Sequence, residues 1–458
     1  MGREYIQAAG CTQDGWGHTG ENLAKNFGKQ IAFWLTLFHN HASPQTAQTS
    51  IPPHYRPIYE VCMNFVFISP QFPQSYWNFC DRLQARGVNV LGIGDTPYDE
   101  LSKELRHSLT EYYKVNSLEN YDEVYRAMAF LTFKHGRIDW VESNNEYWLS
   151  QDARLRTDFN ITTGMNVDDV AHVRRKSAMK RFYEAAGVPV ARYHIISDLE
   201  AGKAFAREVG YPVFVKPDGG MGASGSYKLS SDEEMERFYA SKEDVPYLME
   251  EFLSGDIWSY DGVSDSQANV IFETCTAWPP SIADIVNNKD HLAYCTASEL
   301  PQDLREAGRA TVKSFNVRSR FFHLEFFRLR EDKPGVAKKG QLVALEVNMR
   351  PAGGWTPDMF NYANSVDVYS IWADMVVHDK TFVDLDKEKY FAVFAGRRNG
   401  KPYVHSPDEV RARFGDRIKM DLDIPTAISG AMGDHQWTAV MKTAEEKDEF
   451  IRFVQETQ

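Results

Sequence analysis

The strongest limit on the fold comes from the stretch that begins at Met63. "MNFVFIS" is a short apolar run that reads as a buried strand, "PQSYWNFCDRLQARG" has the spacing of an amphipathic helix closed by Gly87, and "VNVLGIGD" is a second buried strand. A strand, helix and strand in this order predict a parallel pair joined by a right-handed crossover. The segment from Ser117 to Leu149 repeats the theme, an apolar-periodic helix followed by the strand "IDWVES". A small parallel sheet is therefore expected near the start of the regular sequence.

The preceding residues differ. Residues 1–62 lack a sustained period and run into the turn-rich "SPQTAQTSIPPHYRP", a linker composition. They read as an N-terminal extension, either foreign to the natural chain or an upstream segment without a catalytic role. Their apolar run "IAFWLTLF" is far short of the roughly 20 residues that span a bilayer. Glu4, Asp14 and Glu21 spoil the basic region of a secretory leader, so a buried helix is the better reading.

With 458 residues the chain has room for about three domains or subdomains, each of roughly 100 to 200 residues. A formal net charge of -13 disfavours a nucleic-acid partner, although an acidic surface can still hold one phosphate locally. Cys11, Cys62, Cys80, Cys275 and Cys295 show no zinc or disulfide spacing, which fits a reducing cytoplasm.

"VFVKPDGGMGASGSYKL" carries Gly220, Gly222 and Gly225 in the spacing G-x-G-x-x-G. A dinucleotide loop must feed a helix whose amides face the pyrophosphate, but the strand-like "GSYKLSS" follows. A P-loop needs lysine where Ser226 stands, and no H-R-D or D-F-G supplies a kinase's base and metal ligand. What remains is a β-hairpin lid whose amides can wrap terminal phosphates above Lys216 on the entering strand.

The strand "YLMEEFLSGD" carries Glu250 and Glu251 beside Leu253. A solvated edge explains adjacent glutamates; a nucleotide site would use this strand's backbone and Glu250 to read an adenine edge. Further on, "FFHLEFFRL" and "QLVALEVNMRP" flank a turn at Pro334 and Gly335. Pairing them about that turn sets Glu325 opposite Glu346 and His323 opposite Asn348, and strand alternation puts Glu346, Asn348 and Arg350 on one face. Facing carboxylates among apolar residues repel unless a cation lies between them, and carboxylate plus amide oxygen suits Mg2+ bound with substrate phosphates. The bland alternative is a charged hairpin facing water.

The order of these features resembles the ATP-grasp superfamily of carboxylate-amine and related ligases, from about Met63 to Val377. "RKSAMKRFYEAAGVPVAR" is similar to the family segment that carries a first ATP-binding lysine, which falls on Lys176. The resemblance continues through Lys216 and the loop of Gly220, Gly222, Ser224 and Gly225, then the adenine-side "MEEFL" with Glu250, Glu251 and Leu253. It carries the metal ligands over to Glu325, Glu346 and Asn348, with Arg350 completing "EVNMR". It implies an α/β and α+β ATP-grasp fold with a Rossmann-like pre-ATP-grasp domain at 63–165, a lid subdomain at 166–255, a metal-binding lobe at 256–385 and a C-terminal α/β element at 386–458. The cofactors implied are ATP and Mg2+, with Mn2+ as an alternative.

Three departures stand out. Arg175 occupies a position where the family commonly has an acidic residue; Ile257 falls where many members place a ribose-binding glutamate, leaving Asp256 as the substitute. "PAGGWTPDMFNYANSVD" after Arg350 lacks the "QVEH"-like segment of biotin carboxylases and looks more like the amino-acid and peptide ligase branches. Within it Thr356, Pro357 and Asp358 are expected as N-cap, N1 and N2 of a helix.

The activity implied is an ADP-forming ligation in a cytoplasmic protein. A substrate carboxylate becomes an acyl phosphate and is attacked by an amine, with Lys216 and Arg350 catalytic. The partners are small-molecule carboxylates and amines, amino acids or a peptide among them, with no membrane or nucleic acid and with a homodimer as a family expectation. Carboxyphosphate chemistry, as in carboxylases and carbamoyl-phosphate synthesis, is the alternative enzyme reading. A nucleotide-binding subunit that has lost catalysis is the other rival.

Overall fold

The computed structural model describes residues 63–458 apart from 220–224 and 280–289. The N-terminal extension with its "IAFWLTLF" run, Gly220, Gly222 and Ser224 all lie outside the described residues.

Strands β1 (Asn64–Ile68), β2 (Asn89–Gly94), β3 (Glu111–Lys114) and β4 (Trp140–Glu142) form a four-stranded sheet in the order β3-β2-β1-β4. All three pairings are parallel, as the strand-helix-strand order demands. The alternation along β1 explains its unbroken apolar run: Val66 and Ile68 face one core with Leu131 and Met128, while Phe65 and Phe67 face another with Phe79 and Trp372. Because Trp372 and Phe321 belong to later elements, the second core joins this sheet to the rest of the described chain.

Strands β5 (Tyr193–Ile195), β6 (Val213–Pro217), β7 (Tyr227–Leu229) and β8 (Tyr247–Glu251) make a second sheet in the order β5-β8-β6-β7. β6 and β7 are antiparallel partners on either side of the glycine-rich segment. Gly225 enters β7 at φ +73°, and a Cβ there would sit 3.3 Å from Pro217 Cγ, so both backbone and space favour glycine.

The third sheet has eight strands: β9 (Gly255–Ser264), β10 (Val270–Ala277), β11 (Ala293–Thr296), β12 (Arg320–Leu329), β13 (Leu342–Asn348), β14 (Phe391–Arg397), β15 (Ile418–Asp423) and β16 (His435–Met441). Their order is β13-β12-β9-β10-β11-β14-β16-β15, so the three strands after residue 386 extend the sheet that carries the Glu325 and Glu346 hairpin.

Two local expectations are corrected. The residues from Val170 to Gly187 read in sequence as one basic amphipathic helix, whereas the structure has two, Val167–Arg174 and Lys176–Ala185. Arg175 between them is extended at φ -106° and ψ 117° and bridges Gly219, and the Lys176 amide donates to the Asp218 carbonyl at 2.8 Å. Asp218 then caps the second helix from a distance, accepting from Ser177 N at 2.7 Å and Ser177 Oγ at 2.8 Å. The other correction concerns Thr356, which is the first helical residue with Trp355 as N-cap; its hydroxyl donates back to the Gly353 carbonyl at 2.6 Å instead of accepting from a helix amide.

Candidate functional site

The helix beginning at Lys176 starts where β6 ends, because Asp218 holds both. One helical turn separates Lys176 from Lys180, so the two ammoniums leave the same face. In the neighbouring sheet β6 and β8 run antiparallel with Phe214 opposite Glu250 and Lys216 opposite Leu248, which makes Lys216 and Glu250 diagonal neighbours. The Glu250 carboxylate consequently lies between two cations, with Oε1 on Lys180 Nζ and Oε2 2.5 Å from Lys216 Nζ. Burial pushes this carboxyl up, yet the two ammoniums outweigh it and hold the pKa at about 2.

The β12–β13 hairpin has the register expected from its turn. Glu325 faces Glu346, His323 faces Asn348, and a bulge between Glu325 and Phe326 absorbs one residue of β13 before the turn. Lys176 Nζ reaches Glu346 Oε1 at 3.2 Å. Burial raises the Glu325 carboxyl, but His323, Arg350 and Lys216 together bring it below its ordinary value. Lys216 in turn feels both Glu346 and Glu325, so the lysine of the second sheet and the carboxylates of the third share one electrostatic environment.

Arg350 follows β13 on a backbone fixed from two sides. The Met349 amide donates to Glu146 Oε2 at 3.0 Å, and its carbonyl accepts from Arg320 at 3.0 Å and 2.6 Å. Glu146 lies in the loop after β4, so the parallel sheet's C-terminal edge sets where the arginine begins.

The structure therefore brings Lys176, Lys216, Glu250, Glu325, Glu346 and Arg350 together, with Asn348 buried two residues beyond Glu346. The remaining residues singled out in the sequence lie elsewhere. Glu251 points to the opposite face of β8, where its carboxylate is held by Arg192 at 2.8 Å and Lys333 at 3.4 Å. Leu253 packs in a small core with Ala191, Leu329 and Val343. Asp256 pairs with Arg330 at 2.5 Å with both side chains about half exposed.

Sequence reasoning passed over two participants. Lys180 had a signal, its one-turn spacing from Lys176. His323 pairs with Asn348 by register alone in the sequence; in the structure its Nδ1 lies 2.6 Å from Asp261 Oδ1 and its Nε2 2.9 Å from Glu325 Oε1. Burial lowers the imidazole pKa, and the two carboxylates overcome that and raise it to about 9.

Among the described residues no group of three or more His, Cys, Asp and Glu side chains is placed to hold a metal. The donor set of two facing carboxylates and the Asn348 amide nonetheless fits Mg2+, which takes one or two protein carboxylates and completes its shell with phosphates and water.

Residues 175–275 match the family model described as carbamoyl-phosphate synthase L chain, ATP binding domain. The L-arginine-specific L-amino acid ligase of Bacillus subtilis is 22% identical over 246 residues, covering 50% of this chain and 56% of that protein. A carbamoyl phosphate synthase large chain of Clostridium botulinum is 24% identical over 208 residues, covering 44% of this chain and 19% of its own length. The chain thus spans about half the length of the first of these relatives and about a fifth of the second. Among solved structures, an L-amino acid ligase from Bacillus licheniformis superposes with a TM-score of 0.62 at 14% identity, covering 86% of this chain and 96% of that one. The N5-carboxyaminoimidazole synthetase of Staphylococcus aureus gives a TM-score of 0.63 at 13% identity, covering 86% and 97%. The chain thus has an ATP-grasp fold, and the segment that carries Lys176, Lys180, Lys216 and Glu250 is the one that matches an ATP-binding domain.

Proposed function

We propose that the protein is an ATP- and Mg2+-dependent, ADP-forming ligase that activates a substrate carboxylate as an acyl phosphate for attack by an amine. The observation that carries this reading is the convergence of Lys216, Arg350 and the facing pair Glu325 and Glu346. A binding-only protein needs the lysines but has no use for facing carboxylates beside an arginine.

In this reading Lys176 and Lys216 bind the phosphates of ATP under the hairpin of β6 and β7, and the β8 backbone beside Glu250 takes the adenine. Glu325, Glu346 and Asn348 hold Mg2+, which neutralises phosphate charge when bound. Arg350 offers a planar fork of donors to the phosphoryl group in transit. Gly220, Gly222, Ser224 and Gly225 complete the proposed phosphate contacts, and the acyl phosphate, which water destroys, calls for a site closed to solvent. Domain limits of 63–165, 166–255, 256–385 and 386–458 serve as working boundaries.

Amino acids or a short peptide are the proposed substrates, supported by the two L-amino acid ligases among the similar proteins. A homodimer is part of the proposal, since one neighbouring structure, a biotin carboxylase domain, is described as a dimer. A cytoplasmic setting is supported by the free, buried thiols of Cys80, Cys275 and Cys295. Among the described residues no helix is long and apolar enough to cross a membrane.

The test is ADP release from ATP and Mg2+ with pooled amino acids and small carboxylates, comparing wild type with Glu346→Ala. Substrate-dependent release that vanishes in the variant supports the ligase. The match to a carbamoyl-phosphate synthase domain favours a second reading, activation of bicarbonate, and release that needs bicarbonate and no organic carboxylate would select it.

A further inference from the structure

The β9–β12 register places four polar side chains in one block inside a largely apolar sheet. His323 is directly opposite Asp261, and Glu325 is directly opposite Ser259. Alternation puts Ser259 and Asp261 on one face of β9, and His323 and Glu325 on the matching face of β12. Asp261 and Ser259 are fully buried and His323 is 4% exposed. Such a block is tolerable only if its members satisfy one another.

They do so as a directed chain. The Trp278 indole donates to Ser259 Oγ at 3.0 Å, Ser259 Oγ donates to Asp261 Oδ2 at 2.5 Å, Asp261 Oδ1 accepts from His323 Nδ1 at 2.6 Å, and Glu325 Oε1 accepts from His323 Nε2 at 2.9 Å. Every link but the last is internal to the scaffold. The last touches a carboxylate that is a quarter exposed and faces Glu346. An imidazole held at both nitrogens is restrained from turning, so it offers Glu325 Oε1 a fixed donor. Glu325 is thereby biased toward one orientation of its carboxyl group before any ligand arrives.

We infer that Asp261 and His323 are positioning residues that set the orientation of Glu325 for a divalent cation. The inference rests on the ligase reading in one respect, the assignment of Glu325 as a metal ligand. Partners of metal ligands at one remove commonly change metal affinity by about 10- to 100-fold when removed, although they never touch the ion.

The experiment is a titration of Mn2+ into the full-length protein with ADP present, following free Mn2+ by electron paramagnetic resonance. It compares wild type, Glu325→Ala, His323→Ala, His323→Gln and Asp261→Asn, with metal-free ADP affinity measured on each. The expected result is Mn2+ affinity weakened about 10-fold or more in His323→Ala and Asp261→Asn, with metal-free ADP affinity unchanged. His323→Gln, whose amide N–H can still donate to Glu325, recovers part of the loss. The inference is overturned if His323→Ala and Asp261→Asn both stay within twofold of wild type while Glu325→Ala loses the metal. It is also overturned if glutamine does no better than alanine, or if metal-free ADP binding falls in parallel. If Glu325→Ala binds Mn2+ as tightly as wild type, the assignment of Glu325 itself fails. Asp261→Asn preserves volume, so the question stays answerable if His323→Ala does not fold.

Discussion

Lys180 on a helix and Lys216 on β6 share one carboxylate, Glu250, each ammonium taking a different oxygen. All three side chains are almost fully buried, so the triad carries a net positive charge in a place where charge is costly.

Removing the carboxylate should therefore be severe. Glu250→Ala leaves two like charges unscreened in the interior, and a loss of about 3 to 5 kcal/mol is expected from the cost of breaking buried pairs. Lys180→Met, which leaves Glu250 its second partner, should cost less. Urea unfolding followed by tryptophan fluorescence compares them; equal losses would contradict the shared-carboxylate picture.

The same triad predicts an acid response. The folded pKa of Glu250, about 2, lies below its ordinary 4.5, so its contribution is present above about pH 4.5 and is lost as pH falls from there toward 2. The stability gap between wild type and Glu250→Gln should accordingly narrow through that window. A gap that stays constant from pH 5 to pH 3 would show that the carboxylate is not held low.

Arg350 donates from Nη1 to the Pro351 carbonyl at 2.7 Å and lies in the field of the Glu325 and Glu146 carboxylates. Arg350→Ala is expected to shift stability by about 1 to 3 kcal/mol while lowering turnover roughly 100-fold or more, the scale of losing one transition-state donor. Arg350→Lys should recover little, because a single ammonium cannot reproduce the bidentate fork. The informative comparison is kcat against thermal midpoint; a variant that loses both in step would place Arg350 in the scaffold.

Asp218 caps the Lys176 helix across the break at Arg175. Asp218→Ala should cost about 1 kcal/mol, the usual scale of a lost cap, and should also raise the ATP concentration needed for half-maximal turnover, because the helix start carries Lys176. A stability loss with unchanged nucleotide affinity would separate the cap from the site.

The elements of this fold were legible wherever neighbours in sequence are neighbours in space. The apolar run at Asn64–Ile68, the hairpin of β6 and β7 and the pairing of Glu325 with Glu346 follow from strand period and a turn at Gly335, where φ is +79°. Lysine 216 and the two facing glutamates could be named in advance for the same reason. Partners drawn from distant segments were not legible. The interruption at Arg175 depends on Asp218, some forty residues on, and nothing in the helical period announces it. Glu250 and Glu251 are identical as letters, yet one faces Lys180 and Lys216 and the other faces Arg192 and Lys333. His323 sits beside Glu325 by strand alternation, but what fixes its other nitrogen is Asp261, on a strand some sixty residues earlier. Periodicity and turn chemistry act over a few residues and so can be read along the chain, whereas the choice of partner for a buried charge is made by burial itself, once folding has removed water as the alternative.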